Sequence, residues 1–173
     1  MLVSGKVKLS KIEKAHSGEL CEIANNYKIW INLRDVFPHP YTLEDAKGFI
    51  DFVSSESPPL TFGIFFEDHL AGVVGITPFS DVNRIKAEVG FWIGEPFWGK
   101  GIGTTALELM CEYAFQKLEF IRLEAFVFDH NKSSTRVLEK NGFSLDARLE
   151  KSAEKNGVII DQLLYSKIKP GAG

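Results

Sequence analysis

Apolar positions set out a mixed order of elements. Val3, Val7, Leu9 and Ile12 predict an opening strand. Residues 15–26 read as a helix, with Leu20, Ile23, Ala24 and Tyr27 on one face. Two prolines make Arg34-Asp-Val-Phe37-Pro-His39-Pro-Tyr41 a loop. Thr42 then fits an N-cap with Asp45 in the capping-box region, and Ala46, Phe49, Ile50 and Val53 follow at helical spacing until Pro58-Pro59. From Thr61 the chain turns β-rich. Residues 61–67 and 73–79 flank a hairpin connection at 68–72, a polar turn covers 80–84, and 87–94 completes an antiparallel meander. A glycine-rich stretch, 94–103, leads into a helix over 104–118 that buries Leu107, Met110, Ala114 and Leu118. A strand at 121–128, a helix at 132–140 capped by Gly142, and a hairpin of 143–149 with 158–168 around Lys155-Asn156-Gly157 finish the chain. Helices first, then a meander, a strand–helix crossover and a hairpin describe one α+β domain.

Composition narrows the class. The 173 residues, 45% apolar and 25% charged, fit one globular domain over 1–168 with a flexible tail at 169–173. A chain of this size needs no metal or disulfide to hold its core. A net charge of −3 offers no basic face for nucleic acid. No apolar run approaches the ~18 residues of a membrane helix, and residues 1–10 lack the apolar core of a signal peptide. Cys21 and Cys111 have no CxxC partner and no histidine at ligand spacing, so a cytoplasmic protein with reduced thiols and no metal is expected.

The chemistry concentrates in Glu88-Val-Gly-Phe-Trp-Ile-Gly-Glu-Pro-Phe-Trp-Gly-Lys-Gly-Ile-Gly-Thr104. A strand runs through glycines into a helix. Glycines admit a ligand close to the backbone, and the helix start offers unpaired N–H groups and the positive dipole end, so the segment suits an anion such as phosphate. A tight turn that merely needs positive φ is the plainer alternative. Gly94-xxxx-Gly99-Lys100 imitates a phosphate-binding P-loop, yet Gly101 stands where Ser or Thr should hold magnesium. Gly101-x-Gly103-x-x-Ala106 with Glu124 imitates a dinucleotide fingerprint, but its strand follows a meander and carries Glu88, unlike a strand buried on both faces.

The run Trp98-Gly99-Lys100-Gly101-Ile102-Gly103-Thr104 also resembles the acetyl-CoA pyrophosphate loop of GNAT N-acetyltransferases, Arg/Gln-x-x-Gly-x-Gly/Ala. Gly101 and Gly103 match, while Trp98 takes the Arg/Gln position, as in the RimJ/RimL-type branch. Arg122-Leu-Glu-Ala-Phe-Val, then Asn131-Lys-Ser-Ser134 and Asn-Gly142-Phe143, resemble the family's next strand, turn and helix. Phe37-Pro-His39-Pro-Tyr41-Thr-x-Glu-Asp-Ala46 resembles its acceptor-side loop.

That resemblance implies a mostly antiparallel sheet of about seven strands flanked by helices, with a splayed central parallel pair forming the acyl-CoA cleft. It implies acetyl transfer from acetyl-CoA to a primary amine, either a protein N-terminal α-amine or a small molecule, by a monomer or homodimer. Phe91 and Ile93 would offer backbone groups to the pantetheine amides. Trp98 and the N–H groups of Gly99, Lys100, Gly101, Ile102, Gly103 and Thr104 would hold the pyrophosphate, Asn131 the pantetheine arm, and Lys100, Lys132 or Arg136 the nucleotide phosphates. An amine of pKa ~10 is protonated at neutral pH, so a base is expected. Under the resemblance the candidate base is Glu88, on the strand leading to the loop, where alternation sets it on one face with Gly90 and Trp92; Glu124 on the neighbouring strand is its competitor, and an ordinary exposed or paired strand carboxylate is the plainer alternative. Ser134 is the candidate acid for the thiolate, with a plain helix-opening serine as the alternative. His39 and Tyr41 lie on the loop that would wall the acceptor pocket and either would be placed to contact the amine, with a structural role in the loop as the plainer alternative. The rival functions are a non-catalytic acyl-CoA sensor and a nucleotide- or NAD-binding protein.

Overall fold

The computed structural model describes residues 1–172. The expected opening strand is instead a hairpin, β1 (Leu2–Ser4) and β2 (Val7–Ser10), because Gly5 turns the chain back at φ +56°. The expected helix over 15–26 is divided as well. A 3-10 turn (Lys14–His16) leads into α1 (Ser17–Ala24), and α2 (Tyr27–Trp30) is a separate turn. Asn25 leaves helical geometry at φ −76°, ψ 65°, and the Asn26 side chain caps α2 by accepting the Lys28 N–H at 2.9 Å. Tyr27 therefore opens a new turn and is 50% exposed, not on the buried face.

α3 (Leu43–Ser54) begins with the expected box, in which Thr42 Oγ1 accepts the Asp45 N–H and Asp45 accepts the Thr42 N–H. There follow β3 (Thr61–Phe66), β4 (His69–Pro78), β5 (Lys86–Ile93), α4 (Ile102–Gln116), β6 (Arg122–Phe128), α5 (Lys132–Lys140), β7 (Ser144–Lys155) and β8 (Val158–Ile168). The last hairpin turns at Asn156 and Gly157, both at positive φ, the geometry that Asn-Gly favours. Beyond β8 the Lys169 N–H donates to the Ile121 carbonyl at 2.8 Å, and Gly173 of the expected tail lies outside the described residues.

All eight strands form one sheet in the order β1-β2-β3-β4-β5-β6-β8-β7, one strand more than expected because of the opening hairpin. Every pairing is antiparallel except β5 with β6. Each face of the sheet carries its own core. On one, Val74, Val89 and Leu123 pack with Ile102, Leu107, Met110 and Leu138 of α4 and α5. On the other, Val73 and Leu70 pack with Leu20, Ala46 and Ile50 of α1 and α3. The apolar faces of α3 and α4 anticipated this division.

Candidate active site

The parallel pair is short. Ladder partners run only from Lys86–Arg122 to Glu88–Glu124. Beyond that point β6 keeps β8 and β5 keeps β4, while the facing edges part. On β5 the Gly94 N–H donates to the Ala71 carbonyl at 2.8 Å, which makes Gly72–Ile93 and Val74–Phe91 non-hydrogen-bonded pairs with β4. The backbone groups of Phe91 and Ile93 therefore point away from β4, into the gap.

One cavity of about 690 Å³ fills that gap and reaches both faces of the sheet. Its walls on the α4 side include Phe91, Ile93, Trp98, Gly99, Gly101 to Thr104, Asn131 and Ser134. On the α1 and α3 side they include Asn32, Arg34, Phe37, Phe49, Glu88 and Trp92. The structure thus brings both catalytic candidates, Glu88 and Ser134, to one cleft.

Gly99 and Gly101 sit at φ +75°, a backbone region that side chains disfavour. Gly101 is the N-cap of α4, and no side chain caps it among the described residues. The first N–H groups of a 15-residue helix thus open on the cleft. Trp98, at the Arg/Gln position, is tied back within the loop, its indole N–H donating to the Ile93 carbonyl at 2.6 Å. That bond occupies the Ile93 carbonyl, so Phe91 supplies the free backbone pair.

Asn131 caps α5, its Oδ1 accepting the Ser134 N–H at 3.2 Å and the Ser133 hydroxyl at 3.0 Å, which leaves its Nδ2 for a ligand. The Ser134 hydroxyl has no hydrogen bond among the described residues, so the cap role belongs to Asn131 and the hydroxyl stays free. Lys100 lies off the cleft wall, its ammonium 5.4 Å from the Phe97 ring centroid and 5.9 Å from that of Phe66. Arg136 and Lys132 are exposed on α5 and also lie off the wall, whereas Lys140, one helix turn on, lines it.

The two carboxylates at the fork differ in environment. Glu88 lines the cleft and pairs with Arg34 across its floor. Glu124 is buried and bound by Lys86 at 3.1 Å and Arg122 at 2.7 Å. Burial pushes the Glu124 carboxyl up, but hydrogen bonds from Arg122 and Lys86 and their charges outweigh it and hold it below its usual range. Glu124 lies off the cleft wall, so the structure places only Glu88 in it.

Neither acceptor-loop candidate enters the cleft. Tyr41 belongs to the second core, 5% exposed, its ring 4.9 Å from that of Phe37, and burial pushes its hydroxyl up to about 12. His39 stacks on Trp30 at 5.4 Å and borders a second cavity of about 460 Å³ beside Asp35 and Glu154. The loop's place in the cleft is taken by Arg34, Val36 and Phe37. Sequence patterns missed Asn32, whose buried Oδ1 has no hydrogen-bond partner among the described residues, and Lys155, whose buried ammonium pairs with Asp35 at 2.7 Å and lies 3.8 Å from the Trp30 ring centroid. These contacts span up to 120 residues of chain, and no local pattern encodes them.

Among the described residues, no helix is long and apolar enough to cross a membrane, and no group of three His, Cys, Asp or Glu side chains could hold a metal ion.

A mixed sheet whose central parallel strands part over an uncapped helix start defines a cleft for an extended, anion-bearing ligand. Residues 6–144 match the acetyltransferase (GNAT) domain family, and the chain belongs to it. The Bacillus subtilis (strain 168) protein YdaF is 35% identical over 107 residues, which are 62% of this chain and 58% of YdaF. The ribosomal-protein-serine acetyltransferase of Escherichia coli (strain K12) is 26% identical over 96% of this chain and 94% of its own. Among solved structures, the microcin C7 self-immunity acetyltransferase MccE in complex with acetyl-CoA and AMP is similar at TM-score 0.82 and 26% identity, over 96% of this chain and 94% of that one.

Proposed function

We propose that the protein is an acetyl-CoA-dependent N-acetyltransferase acting on a primary amine, with direct attack in a ternary complex. One observation carries this reading. The parallel ladder stops at Glu88–Glu124, and the cavity beyond it joins the open start of α4, Ser134 and Glu88 in a single space. Those groups suit the two halves of the reaction.

On the α4 side, the N–H groups of Ile102, Gly103 and Thr104 suit the pyrophosphate. Lys140 on the cleft wall adds positive charge there. The free N–H and carbonyl of Phe91 suit the pantetheine amides, with Asn131 Nδ2 beside them. Held this way, the thioester lies at the fork between the two catalytic candidates.

On the opposite side Glu88 takes a proton from the acceptor ammonium, directly or through water. The amine nitrogen then forms its bond to the thioester carbonyl carbon. A strand N–H facing the gap stabilises the oxyanion. The carbon–sulfur bond breaks and Ser134 gives the thiolate its proton; the proton that the new amide nitrogen sheds passes through water to restore the Ser134 hydroxyl, and Glu88 releases its own to solvent. Cys111 takes no part, because burial pushes its thiol up to about 12 and suppresses the thiolate.

MccE with acetyl-CoA and the ribosomal-protein-serine enzyme support this assignment. The two free cysteines fit a reducing compartment, and the cytoplasm is the proposed one. The test is thiol release from acetyl-CoA over a panel of amines and N-terminal peptides. Release with at least one amine is expected. Acetyl-CoA binding without release from any amine would favour the sensor reading.

A further inference from the structure

The cleft has an unequal charge balance. Lys28, Arg34 and Lys140 line it against one carboxylate, Glu88. Lys28 pairs with Glu95, and Arg34 pairs with Glu88. No further carboxylate lines the cleft among the described residues. The acceptor half thus holds no unpaired carboxylate, since Glu88 faces Arg34, Glu95 faces Lys28, and Lys140 belongs to the α4 side.

Arg34 lies where this balance matters. Its side chain is 60% exposed, whereas that of Glu88 is only 19% exposed. An ion pair so open to water is weak and easily exchanged. The loop beside it is held by its own backbone, the Phe37 N–H donating to the Arg34 carbonyl at 3.0 Å, and Asp35 pairs with the buried Lys155. The backbone of Arg34 is therefore tied down while its guanidinium can change partners.

We infer that Arg34 sets acceptor selectivity, favouring an amine with an oxygen close by, as in a peptide or amino acid, over a polyamine. The inference rests on the amine-acetyltransferase reading. An acceptor nitrogen that approaches Glu88 takes the place of the guanidinium, which then needs another acceptor. A carbonyl or carboxylate beside the amine provides one, in the planar geometry that arginine matches. A polyamine has no such oxygen. It brings a second ammonium towards Arg34 and Lys28 with no free carboxylate to receive it, and this repulsion discriminates between acceptors as much as attraction does.

The test compares wild type with Arg34→Ala on two acceptors, the peptide Ser-Ala-Ala amide and spermidine, by thiol release. In the variant the peptide's kcat/KM is expected to fall and that of spermidine to rise, each by about fivefold, the size of one exposed charge contact. The KM for acetyl-CoA stays within about twofold of wild type, because Arg34 lies on the other side of the sheet from the cofactor residues. A peptide-to-spermidine ratio that does not change, or that shifts towards the peptide, overturns the inference while wild-type turnover stands. Wild type inactive with both acceptors overturns the amine-acetyltransferase reading for both classes, and the inference with it.

Discussion

Replacing Glu88 by Gln removes a proton acceptor while keeping the side chain's shape. The structure gives this change a narrow signature. Glu88 lines the acceptor half of the cleft and has one charged partner, the exposed Arg34. Loss of so exposed a pair lowers stability by under ~1 kcal/mol. The effect on chemistry is larger. With an amine of pKa ~10, freeing the nitrogen at neutral pH takes about 4 kcal/mol, and a positioned base supplies roughly 100-fold or more in rate. Turnover at pH 7 is therefore expected to fall about 100-fold, with acetyl-CoA affinity within twofold of wild type. The deficit shrinks at pH 9, where the neutral form of such an amine is about 100 times more abundant, and that of a peptide α-amine of pKa ~8 about 10 times. Thiol-release kinetics across this pH range, paired with calorimetric titration of acetyl-CoA, provide the assay. Turnover within about threefold of wild type at pH 7, or a fall in acetyl-CoA affinity that matches the fall in rate, would refute Glu88 as the base.

Trp98→Phe deletes the indole bond to Ile93, and acetyl-CoA should bind about fivefold more weakly by calorimetry, the weight of one hydrogen bond. Gly90→Val should be tolerated by the fold, because nothing lies within 4 Å of a Cβ at Gly90, yet it fills cleft wall beside Glu88. The KM for the acceptor should rise while thermal stability and the KM for acetyl-CoA hold. The Glu124 carboxyl is held below its usual value of 4.5 in the fold, so its contribution to stability is complete above pH 4.5 and is lost as pH falls through the lower folded value. Glu124→Gln should lower stability by about 2 kcal/mol at pH 7, chiefly through Lys86, which loses its carboxylate while Arg122 keeps Asp146, abolish that acid-side loss, and spare the acceptor KM, all readable from denaturant melts and kinetics.

Much of the fold was legible because its signals are local. The box at Thr42 and Asp45, the glycines before α4 and the Asn156-Gly157 turn each dictate backbone geometry within a few residues. Gly5 and Asn25 dictate geometry just as locally, and smooth hydrophobic patterns across them hid the breaks. The α4 side of the cleft was legible in part for the same reason, since one strand, one loop and two helix starts bring Phe91, Ile93, the loop glycines and Asn131 to its wall, whereas Lys100 and Arg136 lie off it. The acceptor half was not. Its contacts join Arg34 to Glu88 and Asp35 to Lys155 across long stretches of chain, and nothing in either neighbourhood announces its partner. Tyr41 shows the converse, a polar aromatic in a suggestive loop that buries its ring in the core against Phe37.

We take the fork between β5 and β6 to be an acyl-CoA cleft. Calorimetric titration of the wild-type protein with acetyl-CoA, NAD and ATP tests it most directly. Heat of one-to-one binding with acetyl-CoA, and none of comparable affinity with NAD or ATP, is the predicted result. Silence with acetyl-CoA alongside clear heat from either nucleotide would contradict it.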